Sequence, residues 1–190
     1  YYMDYQREDR RDKNKDELKL AELRNKIIQT LDKMEQNIPV ETIPIQSEDL
    51  HYQVARLYGD LDEKKSMRDI MDQLVDRKKG KPSNRVEYAN IYFRELNDTE
   101  RALDILEEMR LEFFQLEGMV KTRGFGKKSV TKNKWAQWQS SFPELVSSLV
   151  YIYRNNDRLM DAELILSDWV DRNPSDKNAK KILEEIRSAE

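Results

Sequence analysis

Between Leu149 and Asp176 the chain reads LVYIYRNNDRLMDAELILSDWVDRNPSD, two apolar stripes about a polar turn. Leu145, Val146, Leu149, Val150, Ile152 and Tyr153 recur at helical spacing, which predicts a helix from about Glu144 to Asn155. The preceding SFPE offers Ser141 as a cap and Glu144 three residues on, the pattern of a capping box. Asn155-Asn156 suits the left-handed turn that closes a helix, and Asp157 suits the cap of a second one. Leu159, Ala162, Ile165, Leu166, Trp169 and Val170 share a face of that second helix, and Asn173-Pro174 ends it. Two helices joined this tightly cannot bury both apolar faces alone, so stacking neighbours are expected.

Two such neighbours precede it: VARLYGDLDEKKSMRDIMDQLVDR from Val54 and EYANIYFRELNDTERALDILEEM from Glu87. Each has a small residue followed three positions later by an aromatic: Ala55 with Tyr58, and Ala89 with Tyr92. A polar turn and a second apolar stripe follow in both. Tyr58 and Tyr92 stand 34 residues apart, and the third unit repeats the plan with Val150, Tyr153, Ala162 and Pro174. In this period and these positions, over about Ser47–Leu111 and Ser141–Pro174, the chain resembles the tetratricopeptide (TPR) family. Two departures stand out: Met67 replaces the usual alanine, and one extra residue precedes Ala102. The small residue lets the two helices approach closely, and the tyrosine is expected to fill the groove with its hydroxyl near solvent.

The flanks are also helical in pattern. From Lys13 to Gln36, Leu20, Leu23, Ile27, Leu31 and Met34 line one face; from Asp176 to Ala189, Ala179, Ile182, Leu183 and Ile186 do so. The last helix suits a solenoid cap, apolar within and charged without. Between the first helix and the first repeat lies MEQNIPVETIPIQSEDL, whose two X-Pro steps predict an extended strip with Ile38, Ile43 and Ile45 as anchors. Ser47 is then placed to cap the next helix. Met34–Ile45 together with the repeats resembles the C-terminal soluble region of a bacterial family of polytopic membrane proteins. That family is described mainly as a domain of unknown function and is related to transmembrane protein O-mannosyltransferases, which use lipid-linked sugar donors. The resemblance implies an extracytoplasmic tail, with the family's catalytic acids in a membrane-embedded part outside this chain.

Composition narrows the picture. Of the 190 residues, 38% are hydrophobic and 37% charged, with only five Gly and five Pro, a balance that suits amphipathic helices with charged outer faces. No stretch approaches the eighteen apolar residues of a membrane span, and no apolar signal-peptide core is present. The absence of cysteine excludes disulfides and thiolate metal sites without fixing the compartment. Opening on Tyr1-Tyr2 and not on Met, the chain reads as a piece of something longer.

The net charge of −3 hides an asymmetry. Gly118 to Pro143 holds six basic residues (Lys121, Arg123, Lys127, Lys128, Lys132 and Lys134) and no acid, which leaves −9 for the rest. Phe125, Trp135, Trp138 and Phe142 are interleaved with them. The plain reading is a long loop whose aromatics dock on the stack, with Lys127 and Lys128 near an exposed tip. The functional readings are a protein partner or an anionic membrane surface, where each lysine contributes about 1 kcal/mol. Nucleic acid, which such a mixture can also hold, ranks below both.

Candidate chemistry is thin. His51 is the only histidine and has no cysteine to join it as a ligand. Acid pairs in DLDE (Asp60–Glu63) and LEEM (Leu106–Met109) suit a turn and a solvated face. TRGFGKKS (Thr122–Ser129) lacks the first glycine of a phosphate loop and follows a helical pattern, not a strand. No EF-hand calcium loop appears. The expectation is an all-α, TPR-like helical-hairpin solenoid, with residues 1–46 as N-terminal helix and connector. Residues 47–174 form three helix pairs with a basic insert at about 112–141, and 175–190 form a capping helix. Its expected work is non-catalytic binding of a protein, peptide or acceptor partner, without cofactor or metal, on the periplasmic face of the inner membrane. A free-standing cytoplasmic TPR adaptor is the alternative.

Overall fold

The apolar spacing of this sequence yields helices almost everywhere the chain is described. A computed structural model describes residues 17–37, 48–76, 81–126 and 130–188. Eight helices occur among them: α1 (Glu17–Asn37), α2 (Glu48–Asp60), α3 (Lys64–Asp76), α4 (Pro82–Arg94), α5 (Thr99–Arg123), α6 (Lys132–Asn155), α7 (Leu159–Arg172) and α8 (Lys177–Ser188). The described residues contain no strand, only one bridge between Phe125 and Val130. The class is all-α, as the patterning predicts. The chain divides into two compact units, Tyr1–Gly80 and Lys81–Glu190. The start of the first helix at Lys13, the Pro-containing strip with Ile38, Ile43 and Ile45, the Ser47 cap, and Lys127 and Lys128 lie outside the described residues.

In the first unit, α2 and α3 pack as a hairpin, and Ala55, Tyr58, Met67, Ile70 and Met71 have no exposed surface. Burying such side chains contributes about 1.5–3 kcal/mol for each large one. Met67 stands where alanine was expected, and its flexible thioether chain adapts to the space between the helices. On α1, Ile27 and Leu31 are buried. Two polar links tie α1 to the hairpin: the Tyr58 hydroxyl donates to Asp32 (2.6 Å), and Arg24 donates to the Leu61 carbonyl (2.9 Å) and to Glu63 (2.7 Å).

In the second unit, α4 pairs with α5, α6 packs on both and pairs with α7, and α8 covers α7. Ala89, Tyr92, Ala102, Leu106, Met109, Leu149, Ile152 and Ala162 have no exposed surface. The alanines at the expected close approaches are thus all inside. Arg85 of α4 is buried too; it donates to Glu112 (2.8 Å) and lies 3.7 Å from Glu108, so its charge is matched by partly exposed acids of α5.

The three hairpins share one turn. Asp62 (φ 60°), Asn97 (φ 52°) and Asp157 (φ 55°) are the positive-φ non-glycine residues among those described, one per hairpin. Asp and Asn enter this left-handed region at lower cost than other side chains. In each turn the next residue's N–H returns to the tyrosine carbonyl: Glu63 to Tyr58 (2.8 Å), Asp98 to Tyr92 (2.8 Å), Arg158 to Tyr153 (3.0 Å). The extra residue before Ala102 is absorbed here, because the middle turn closes one position later than the other two.

The structure corrects five local expectations. The tyrosine hydroxyls are not near solvent: Tyr58 is fully buried on Asp32, and Tyr153 is 4% exposed and donates to Glu107 (2.7 Å). The left-handed residue of the third turn is Asp157, not Asn155 or Asn156, whose amides close α6 on the Tyr151 and Ile152 carbonyls (both 2.7 Å). Arg158, not Asp157, then occupies the cap position of α7. Ser141 is no cap: α6 starts at Lys132, capped by the Thr131 hydroxyl on the Lys134 N–H, and runs through Pro143. An interior proline costs about 3 kcal/mol; burial of Trp138, Ser141, Phe142 and Leu145 around it keeps the helix whole.

The fifth correction concerns the insert. It is not a long loop: α5 continues to Arg123 and α6 begins at Lys132, so most of residues 112–141 is an antiparallel helical extension. Phe125 pairs with Val130 at its end, and Phe113 stacks on Phe142 (3.7 Å, 13°) at its base.

Candidate functional site

Two surfaces of the second unit can meet a partner. The first is an open groove of about 650 Å³ between α6 and α8 with α7 beneath. Val146, Val150, Leu166 and Ile182 supply its apolar lining, while Tyr151, Arg154, Asn155 and Asn178 supply polar groups. These α6 residues are the side of the helix left over once Leu145, Leu149 and Ile152 are packed inward. Tyr151 is 47% exposed, braced edge-on by Phe93 (5.8 Å) and flanked by the Arg94 guanidinium (5.6 Å). Arg94 and Arg154 together give this end of the groove a positive bias.

The opposite wall is set by Asp176. Its carboxylate accepts from the Ala179 N–H (2.9 Å), capping α8, and from the Trp169 indole N–H (2.9 Å). The Ala179 backbone bond and then the indole bond hold its carboxyl below the usual aspartate range. The groove thus has a fixed edge and an aromatic, cationic end. Such a lining suits a peptide segment with an apolar side chain and an acidic group.

The second surface is the α5–α6 extension, which carries Lys121, Arg123, Lys132, Lys134, Trp135 and Trp138 of the sequence-predicted set. Phe113 stacks on Trp135 (5.3 Å, 25°) as well as on Phe142, and Phe142 lies 6.0 Å from Trp169 of α7. Trp138 is buried. The two tryptophans are therefore anchors, as expected, but of a helical extension and not of a loop. Burial raises the Glu117 carboxyl, but hydrogen bonds from Arg172 (3.1 Å) and Lys121 (3.2 Å) outweigh it and hold the group below its usual range. Arg172 also lies over the Phe114 ring at 4.8 Å.

Beyond these anchors Lys121, Arg123, Lys132 and Lys134 are exposed at one end of the extension, and Phe125 beside them is 46% exposed. The structure brings these four cations together. It separates them from Trp135 and Trp138, whose rings serve the base.

No constellation of acid, base and nucleophile converges in the groove. Glu107 accepts from Tyr153 and Arg110 (2.8 Å), a linkage between α5 and α6; burial and then this bond push the Tyr153 hydroxyl well above its usual range. His51 is buried in α2, and the described residues hold no group of three metal-ligating side chains. Sequence reasoning missed Tyr151, Arg154 and Asn155. Their signal was available: polar and aromatic positions three and four apart on the side of the third unit's first helix that its apolar stripe leaves outward. No family model, curated protein or solved structure matches the chain.

Proposed function

We propose that this chain is a non-catalytic, TPR-like binding domain, and that its second unit receives a peptide segment of a partner protein in the α6–α8 groove. The observation that carries this reading is the groove itself, lined by apolar and polar groups in similar measure, with Arg154 and the Arg94-flanked Tyr151 at one end. The shared left-handed turn of the three hairpins supports the repeat assignment, since unrelated hairpins need not place Asp or Asn at one point and return one N–H to one tyrosine. The likeness of Met34–Ile45 and the repeats to the tail of O-mannosyltransferase-related membrane proteins supports an extracytoplasmic setting, tethered to a glycosyltransferase-like parent.

Selection from a displayed random-peptide library tests the groove. Enriched peptides should pair an apolar residue with an acid. Their affinity should fall about tenfold or more in Tyr151→Ala and Arg154→Glu, since anchors of this kind dominate peptide affinity. Enriched peptides indifferent to both substitutions would sink the groove reading. The coding sequence upstream of Tyr1 tests the setting. Several apolar spans there would support the membrane-tethered tail, whereas a nearby start codon would favour a free-standing cytoplasmic adaptor.

A further inference from the structure

The groove uses none of the residues at the far end of the α5–α6 extension. Three features coincide there. Lys121, Arg123, Lys132 and Lys134 are all exposed, and Gly118 to Pro143 contains no acid. The nearest acid paired with the cluster is Glu117, which Lys121 shares with Arg172, so its single negative charge is already spoken for. Phe125 stands among the cations with 46% of its surface exposed, on the backbone just past Gly124, whose φ of 65° turns the chain out of α5. A turn of this kind favours glycine, which here leads to an exposed aromatic without continuing the helix.

The base of the same extension is packed. Phe113, Trp135 and Phe142 are stacked and Trp138 is buried, so the cations are held on a braced support. The rest of the chain carries −9 against the six positive charges of this segment. An anionic surface would attract this acid-free segment in preference to the acidic remainder.

We propose that the tip of the α5–α6 extension docks on the surface of an anionic phospholipid bilayer, with Phe125 entering the headgroup region and Lys121, Arg123, Lys132 and Lys134 contacting phosphates around it. An aromatic wedge ringed by cations is what an anionic interface selects. Single-stranded nucleic acid would instead need a series of free aromatic platforms. Trp135 and Trp138 cannot supply them, because one is stacked on Phe113 and the other is buried. The inference does not depend on the groove or on a membrane-embedded parent, and its test leaves Tyr151 and Arg154 untouched.

The test is co-sedimentation at low salt with vesicles of phosphatidylglycerol and phosphatidylcholine, against phosphatidylcholine alone. Wild type should pellet with the anionic vesicles only and be released as salt rises. Changing Lys121, Arg123, Lys132 and Lys134 together to Gln should lower partitioning by nearly three orders of magnitude, at about fivefold per cation near the surface. Changing the three lysines to Arg should preserve binding, and Phe125→Ser should lower it about tenfold. All substituted side chains are exposed, and helical circular dichroism confirms that each variant is folded. Negligible binding by wild type, or equal binding by wild type and the Gln variant, would overturn the proposal. So would binding indifferent to Phe125, or tighter binding to a single-stranded oligonucleotide than to vesicles, either of which would assign the tip to polyanions in general.

Discussion

Helix α5 is continuous from Thr99 to Arg123, yet its two ends obey different constraints. In its first half Ala102, Leu106 and Met109 have no exposed surface, and they meet α4 and α6. At its other end Lys121, Thr122 and Arg123 are exposed, and a methyl added at Gly118 would meet nothing within 4 Å. Between them, the Phe113–Phe142 stack and the Arg172–Glu117 pair tie the helix to α6 and α7. One helix thus has a packed half and an exposed end. Tertiary contacts decide which, since both halves are helical.

Phenylalanine provides the widest contrast. Phe142→Ala should destabilise the second unit by about 3–5 kcal/mol, because it empties a stacked and buried site. Phe125→Ala should change stability by less than about 0.5 kcal/mol. Denaturant melts of the two variants check this, and equal losses would erase the boundary between body and tip. Next come the close helix approaches: Ala102→Leu and Ala162→Leu should each cost about 1–3 kcal/mol by overpacking. Both alanines have no exposed surface. Unchanged midpoints would remove the packing basis of the repeat.

Gly118→Ala should act with the opposite sign. It lies within a helix, facing open space, so the substitution should stabilise by about 0.5–1 kcal/mol in the same melts. Smallest of all should be the acid response of the α8 cap. The Asp176 carboxyl titrates below its unfolded value, so its contribution is present above about pH 3.9 and lost as pH falls through the folded value. Asp176→Asn should flatten that part of the stability–pH profile while leaving neutral-pH stability within about 1 kcal/mol.

The hairpins were legible because they rest on local rules. Small–aromatic spacing marked the hairpins, and Asp or Asn marked every turn. The reach of α6 was not legible, since Ser-Phe-Pro-Glu writes a helix start as plainly as a helix interior. What overrides the proline is burial of Trp138, Ser141 and Phe142 against residues distant in sequence. For the same reason a basic, acid-free stretch read as loop became two helical arms: Phe113 had to meet Phe142 for the arms to persist. The cationic character of the α5–α6 extension was visible as composition. The groove was not, because Tyr151, Arg154 and Asn178 converge only once α8 is folded against α7.

Hydrogen exchange along α5, with and without anionic vesicles, tests the division of this helix most directly. Amides of residues 102–113 are expected to exchange only through global unfolding of the unit, and to ignore the vesicles. Amides of residues 119–126 are expected to exchange orders of magnitude faster through local opening, and to slow when anionic vesicles are added. Uniform protection from Ala102 to Gly126, unmoved by vesicles, would contradict both the boundary and the role of the tip.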